Sequence, residues 1–394
     1  MGIIANYGER GSQKSLFFHR DGTNLIENAS VKTKPMHGIG IDRALPPYLG
    51  GKRRLCPVIF RELDRVLPRE HWHRHILLDG FLGGGSVSLY AKAQGFSVIS
   101  TDLATRAIVI GDALIANDRI RITRDDLVRV LATPIDETTP NAMKLVPAVF
   151  TQNVGEVIDK LLHVAGHTPI QAKAALLRLL AIRIAMLAHP MSQVRPGTAH
   201  RASTGEWESI TPSCLDHYVD ALRLDTLKEL WHLAQKANAG VIPGRVRVIQ
   251  ADVLKVLPEI LADIAYFDPP YSGVMSYEKE YRVIDQILEG IRRPTSPFTA
   301  RDGASMIDTL LDRARHIPIW ILSFGNAVAS LEELEAKMIR RGRHTKAIAI
   351  RYQHLPAIAT DEKKESNREY LLIGVDPRST LPLRLEGARE EVAV

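Results

Sequence analysis

Asp268-Pro269-Pro270-Tyr271 follow directly on the apolar run Ile264-Ala265-Tyr266-Phe267. The pattern predicts a strand that delivers an acid, two rigid prolines and an aromatic ring at its C-terminal end. That is the end at which open α/β sheets bind their ligands. A carboxylate beside a backbone carbonyl can accept the hydrogens of a flat exocyclic amine, and proline fixes φ, which holds the carbonyl's aim. Tyr271 offers a face on which a base can stack. These are the parts needed to methylate a neutral amine. The same four residues would also make an ordinary turn after a strand, because Asp and Pro are common turn formers. The chemical reading therefore needs a second half elsewhere in the chain.

That half lies in Asp79-Gly80-Phe81-Leu82-Gly83-Gly84-Gly85-Ser86. The segment follows an expected buried strand, His75 to Asp79, and opens an expected helix, Ser86 to Gln94, with Gly95 at the C-cap. Glycines let the backbone approach a ligand, and a helix N-terminus favours a carboxylate or phosphate. No Gly-Lys-Ser/Thr follows, which excludes a phosphate-binding P-loop. The next expected strand, Phe96 to Thr101, runs into Asp102. Its carboxylate falls close to the spacing of about 20 residues at which such an acid reaches ribose hydroxyls. Such a pair could hold NAD or S-adenosylmethionine. Asp-Pro-Pro-Tyr has no evident task in hydride transfer, whereas it suits methyl transfer to an amine.

The elements that must position these groups alternate in the manner of an α/β protein. Further strands are expected at Val246–Gln250, at Ile317–Ser323, and as a closing antiparallel pair at Ala347–Tyr352 and Glu369–Gly374. Val58 to Leu67 and Gln171 to Leu187 have helical apolar spacing. The expected organisation is a flexible arm (1–44), a catalytic domain in two pieces (45–110 and 245–375), a mostly helical insert (111–244) and a loose tail (376–394). The 394 residues carry a net charge of +6, with 45% hydrophobic and 24% charged residues. A basic field favours an anionic partner. Two cysteines, Cys56 and Cys214, give no disulfide framework and fit a reducing cytosol. Met1 to Arg20 has no signal-peptide pattern and no apolar stretch is long enough to span a bilayer, so a cytoplasmic location is expected.

Together these motifs resemble the amino-group DNA methyltransferases, and their order resembles the Dam-like class of adenine-specific enzymes. The class has an N-terminal Tyr-x-Gly-Gly-Lys element, matched by Tyr48-Leu49-Gly50-Gly51-Lys52. Ala251-Asp252, Leu322-Ser323 and the Glu369–Ile373 strand match its remaining elements, so the similarity runs over roughly residues 45 to 375. Two positions depart from it. Asp79-Gly80-Phe81 replaces the class's Glu-Pro-Phe, and Phe324 stands where Asn is frequent.

The resemblance implies a Rossmann-like S-adenosylmethionine methyltransferase sheet with an inserted target-recognition domain. It implies N6 methylation of an adenine flipped out of duplex DNA, with Asp268, Pro269, Pro270 and Tyr271 catalytic. It places Tyr48 and Lys52 near the cofactor carboxylate and base pocket, and Asp79, Phe81, Gly83 and Gly85 along the methionine portion. Asp102 would hold the ribose, and Asp252 the cofactor adenine. Lys52 alone would read as a solvated loop lysine, and Asp252 as a helix cap before Val253-Leu254.

The polar, basic loop Gln193 to Trp207 is the best candidate for reading DNA. Arg195, His200, Arg201 and Ser203 supply donors for base edges and phosphates. Arg201 followed by Gly205-Glu206-Trp207 is similar to the class's arginine hairpin with its Gly-x-aromatic sequence. A solvated basic loop has the same composition. His71-Trp72-His73-Arg74-His75 invites a metal reading, but no cysteine or acid cluster completes a site, so no metal is expected. Arg340, Arg341, Arg343 and His344 read as a phosphate-facing rim or a polar surface. The rival functions are cytosine-N4 methylation, RNA adenine methylation and a catalytically silent DNA-binding module. A cognate restriction endonuclease is a further partner that solitary and restriction-linked enzymes leave equally open.

Overall fold

A computed structural model of the chain describes residues 43–48, 50–135, 141–146, 149–188, 227–270, 281–289, 296–299, 303–325, 330–351, 368–384 and 389–393. Among the described residues eight strands form one sheet: β1 (Ile76–Asp79), β2 (Ser97–Asp102), β3 (Val246–Gln250), β4 (Ile264–Phe267), β5 (Ile319–Gly325), β6 (His344–Arg351), β7 (Arg368–Val375) and β8 (Arg389–Ala393). Their order is β3-β2-β1-β4-β5-β7-β6-β8. β3, β2, β1, β4 and β5 run parallel, and β7 is antiparallel to both β5 and β6. The chain winds outward from β1 to β3 and returns to lay β4 on β1's other side. The order therefore reverses between β1 and β4, and ligand crevices open at such a switch point.

The two-residue period of the strands sorts their side chains into two layers. Leu77, Ile264, Tyr266, Ile319 and Ile321 face one side with helix α1 (Cys56–Val66). Leu78, Ala265, Phe267, Trp320 and Leu322 face the other. Strands buried on both faces are near-continuous apolar runs for this reason. Helix α2 (Ser86–Ala93) follows the glycine turn, and α3 (Thr105–Ile110) follows β2. Next come α4 (Arg124–Ala132), α5 (Gln152–Gly166), α6 (Gln171–Ala188) and α7 (Leu227–Asn238). The short α8 (Val253–Val256) follows β3, α9 (Arg282–Glu289) follows β4, and α10 (Gly303–Arg313) and α11 (Leu331–Ile339) flank β5. No helix among the described residues is long and apolar enough to cross a membrane.

Several expectations are corrected. The boundary expected at 110/111 falls inside one helical run, because α3 continues into a π-helical turn over Gly111–Ile115. Among the described residues, the insert packs as one body with the sheet's helices: Leu82, Leu89 and Ile110 share one apolar cluster with α5, α6 and α7. The tail expected to be loose from 376 supplies β8, which pairs parallel with β6 from Ala347 to Arg351. An exposed edge of unpaired backbone groups is what such a strand satisfies. His71 and His73 lie on a 3-10 turn, Arg69–Arg74, that buries Trp72, rather than on a strand face. Among the described residues no group of three or more His, Cys, Asp or Glu side chains could hold a metal ion.

The Arg340–Arg343 run is not a free rim. Arg341 pairs with Asp308 and Asp312 of α10. Buried Arg343 lies 3.9 Å over the Trp320 ring and donates to the Pro318 and Arg315 carbonyls, at the pole where β5 begins. The functional motifs lie at the opposite pole.

Candidate active site

β1 and β4 end side by side, with Asp79 in register with Tyr266. The chain continues from β1 into Gly80, whose N–H donates to the Tyr266 carbonyl at 2.9 Å. A Cβ at Gly80 would lie 2.8 Å from the Phe267 ring. Both observations account for the departure at this position. Proline would lose the hydrogen bond, and any side chain would strike Phe267.

Gly83 and Gly85 hold positive φ, 48° and 77°, a region that side chains with a Cβ rarely adopt. The turn is tied to β2. The Gly83 N–H donates to Asp102 Oδ2 at 2.8 Å, and the Ala104 N–H to Asp102 Oδ1 at 2.8 Å. Asp102 thus stands at the lip of the glycine turn, with the first turn of α2 beside it. Tyr48 crosses over the turn: a Cβ at Gly84 would sit 2.5 Å from Tyr48 Cβ. Phe81 packs edge-on against Phe298 at 5.0 Å. Asp252 caps α8 by accepting the Leu254 N–H at 3.0 Å, and the preceding Ala251 N–H donates to the Asp102 carbonyl at 3.0 Å. The cap role is realised, and it places Asp252 next to Asp102.

Asp79 points inward. It is 1% exposed, accepts from Ser88 Oγ at 2.7 Å and from the Phe81 N–H at 3.3 Å. Burial, reinforced by the charges of Asp268 and Asp102 and opposed by those two hydrogen bonds, pushes its carboxyl up to about 7. The folded chain therefore keeps a proton that the unfolded chain releases. Stability falls as pH rises from about 4 to about 7, and the penalty is complete above that window. Asp79→Asn removes the penalty and retains an acceptor for Ser88. In thermal melts without ligand, the variant is expected to gain Tm over the parent chain at pH 8 and to gain little at pH 4. An equal gain at both values would exclude the titration as its cause.

On the other side of the switch point, Lys52 reaches Asp268. Its ammonium lies 2.8 Å from Asp268 Oδ1, 3.3 Å from Glu369 Oε1 and 3.1 Å from the Gly50 carbonyl. The charges of Asp268 and Glu369 outweigh desolvation and hold Lys52 cationic well above the usual lysine range. Ser323 Oγ donates to Glu369 Oε1 at 2.7 Å. Glu369 reaches this pole because β7 runs antiparallel: it opposes Gly325 at the C-terminal end of β5. Lys52 and Glu369 are 4% and 0% exposed and Asp268 is 19% exposed, so Asp268 is the member of the cluster that a substrate can touch. Pro269 is buried and Pro270 half-buried behind it.

A second network joins the two halves. Tyr48 stacks on Tyr281 at 4.7 Å, and the Arg106 guanidinium lies 4.4 Å over the same Tyr281 ring. Arg106 donates to both Asp285 oxygens, at 2.6 and 2.8 Å, and to the Tyr48 hydroxyl at 3.3 Å. The chain that leaves Pro270 is thereby anchored, where it re-enters α9, against the ring that covers the glycine turn. The motif reading did not single out Arg106, Tyr281 or Asp285. The available signals were an arginine one helical turn after Asp102 and an i, i+4 Tyr-Asp pair.

The structure therefore gathers Tyr48, Lys52, Asp79, Phe81, Gly83, Gly85, Asp102, Asp252, Asp268, Pro269 and Pro270 at one pole of the sheet. Tyr271 and the loop residues Arg195, His200, Arg201 and Ser203 lie outside the described residues.

Comparison with known proteins agrees with this geometry. Residues 48–142 match the D12 class of N6 adenine-specific DNA methyltransferases. The chain is also 24% identical over 346 residues to the Type II methyltransferase M2.HphI of Haemophilus parahaemolyticus, covering 83% of this chain and 96% of that protein. The matched span begins at Tyr48 and contains the whole glycine turn and Asp102. A glycine turn, an acid at the next strand end and Asp-Pro-Pro at the switch point thus coincide with the family match, and the chain is similar to the N6 adenine-specific DNA methyltransferases.

Proposed function

We propose that the chain transfers a methyl group from S-adenosylmethionine to N6 of one adenine swung out of duplex DNA. The observation that carries the reading is the switch point itself. A glycine turn bonded to Asp102 lies on one side, and Asp268, the exposed member of a buried charge cluster, lies on the other.

The residues fit the methyl donor. Gly83 brings half-buried backbone beside Tyr48, the N-terminus of α2 suits its carboxylate, and Asp102 and the adjacent Asp252 suit hydroxyl and amino donors. When bound, the donor supplies an electrophilic sulfonium methyl group. The adenine amine is a poor nucleophile because its lone pair is delocalised into the ring. Asp268 and the Pro269 carbonyl would accept its two hydrogens and favour a more tetrahedral nitrogen. Most of the acceleration comes from proximity and preorganised electrostatics. Tyr271 would stack on the base, which is unreachable inside a duplex.

The loop 193–207 would read the sequence through Arg195, His200, Arg201 and Ser203. Arg201→Ala is expected to weaken DNA binding by roughly 10-fold or more, the worth of one good arginine–base contact, with cofactor affinity unchanged. Binding titrations of both ligands check this, and an equal loss of both would assign Arg201 to folding. Pairing with a cognate endonuclease is consistent with the Type II designation of the relative.

The test of the reaction is transfer of labelled methyl groups to duplex DNA, single-stranded DNA, RNA and protein in parallel, followed by identification of the modified base. N6-methyladenine in duplex DNA is the expected product. Label in RNA alone, in cytosine, or in none of the four would overturn the proposal.

A further inference from the structure

Arg106 is a buried arginine to which the methyl-transfer chemistry above gives no task. It sits on α3, one helical turn after Asp102, and that helix rests on a firm base. Where α3 passes into its π-helical turn, a Cβ at Gly111 would lie 2.8 Å from Leu82 of the glycine turn and 2.8 Å from Val248 of β3. A side chain that holds others in place needs such a rigid mounting.

Burying a guanidinium is costly unless its donors are met. Among the described residues, Arg106 meets its partners on two other segments of chain. Its Nε donates to the Tyr48 hydroxyl at 3.3 Å. Its Nη1 donates to both Asp285 oxygens, at 2.6 and 2.8 Å, and its guanidinium carbon lies 4.4 Å from the centre of the Tyr281 ring. The Asp285 N–H donates to the Tyr281 carbonyl at 2.9 Å, so the two residues share one face at the head of α9. One planar group can therefore stack on the ring and bond the acid.

The two arms of this contact serve different halves of the site. Tyr48 crosses the glycine turn, and a Cβ at Gly83 would lie 3.3 Å from Tyr48 Cε1. A fixed hydroxyl thus fixes the ring that bounds the cofactor side. On the substrate side, α9 is the first helix after Asp268-Pro269-Pro270 among the described residues, and Ile284 and Ile287 seat it in the apolar cluster of the helices. Arg106 pins the head of α9, while β4 pins the chain before Asp268. Fixing both ends of a segment removes states it could otherwise visit, and alignment of the reacting amine depends on that.

We propose that Arg106 is a positioning residue that joins the two half-sites, aiming Tyr48 across the cofactor turn through Nε and fixing the head of α9 through Asp285 and Tyr281. This rests on the adenine methyl-transfer reading above.

The test compares Arg106→Met, Arg106→Lys and Tyr48→Phe with the unaltered full chain. S-adenosylmethionine affinity is measured by calorimetry without DNA, and methyl transfer to duplex DNA in single turnovers at saturating cofactor. Arg106→Met removes both arms. Affinity is expected to fall by roughly 10-fold, the worth of a hydrogen bond from a charged donor, and transfer by roughly 10- to 100-fold through lost alignment. Arg106→Lys offers one ammonium in place of the planar group, and the carboxylate outcompetes the hydroxyl for it. The lysine variant is therefore expected to transfer about 10-fold faster than Arg106→Met while its affinity stays about 10-fold low. Tyr48→Phe is expected to lower affinity by the same factor, and adding it to Arg106→Lys costs nothing further, because both changes remove one bond. A residue that only supports the fold would lose and regain both quantities together. Near-normal affinity and transfer in Arg106→Met overturn the proposal, as does a lysine variant that restores both or neither. Should Arg106→Met fail to fold, the pairing of Arg106→Lys with Tyr48→Phe carries the test, and additive losses of affinity there overturn the proposal. If the unaltered chain binds no S-adenosylmethionine or methylates no adenine, the functional reading itself falls. If it does both but the split between affinity and transfer is missing, this inference falls alone.

Discussion

Asp268→Ala abolishes methyl transfer, by at least about 10³-fold, and leaves cofactor affinity within about twofold. The two parts of this expectation come from different places in the structure. Turnover is lost because Asp268 is the half-buried acid at the switch point that a substrate can reach, the group that can hold the substrate amine against the methyl group. Binding survives because the glycine turn is held by its own bonds, from Gly83 and Ala104 to Asp102, and none of them passes through Asp268. The fold survives because Lys52 retains Glu369 and the Gly50 carbonyl as partners. Single-turnover kinetics and calorimetry check the two parts separately. Near-normal turnover would remove Asp268 from the mechanism, and a matching loss of cofactor affinity would make its role structural.

Gly84→Val produces the converse phenotype. A Cβ at Gly84 would stand 2.5 Å from Tyr48 Cβ and 2.8 Å from Tyr48 Cγ. Tyr48 cannot give way easily, because Tyr281 stacks beneath it and Arg106 bonds its hydroxyl. The turn must move instead, and overpacking of this kind costs about 1–3 kcal/mol. Cofactor affinity is expected to drop by roughly 10- to 100-fold, with turnover at saturating cofactor affected less. Asp268→Ala does the reverse, sparing affinity and removing turnover. A Gly84→Val chain that binds the cofactor normally would show that the turn is not where the cofactor lies.

Local pattern carried much of this into the sequence. Ile264 to Phe267 alternate between the two faces of the sheet, and their apolar character alone marks a doubly covered strand. The glycine turn and Asp102 were legible because their roles depend on nearby chain. What escaped the sequence depends on distant contacts. Glu369 read only as part of a strand, since its meaning comes from Lys52, at the far end of the chain, and from the antiparallel course of β7. Arg341 and Arg343 read as a basic surface because their acceptors, Asp308, Asp312 and the Pro318 carbonyl, are fixed only when α10 and α11 pack on β5 and β6. The tail read as loose because Arg389 to Ala393 is weakly patterned, and its partner is the otherwise open edge of β6. Asp79-Gly80-Phe81 looked like a departure from the family, and the Phe267 ring against Gly80 supplies the reason.

If this pole of the sheet methylates adenine at N6 within a defined DNA sequence, the marks must depend on Asp268. The most direct measurement is base-resolution sequencing of DNA from methylation-free cells expressing either the unaltered chain or Asp268→Ala. N6-methyladenine is expected at one recurring sequence with the unaltered chain and at none with the variant. Methylated cytosine in place of adenine, or the same adenine marks with Asp268→Ala, would contradict it.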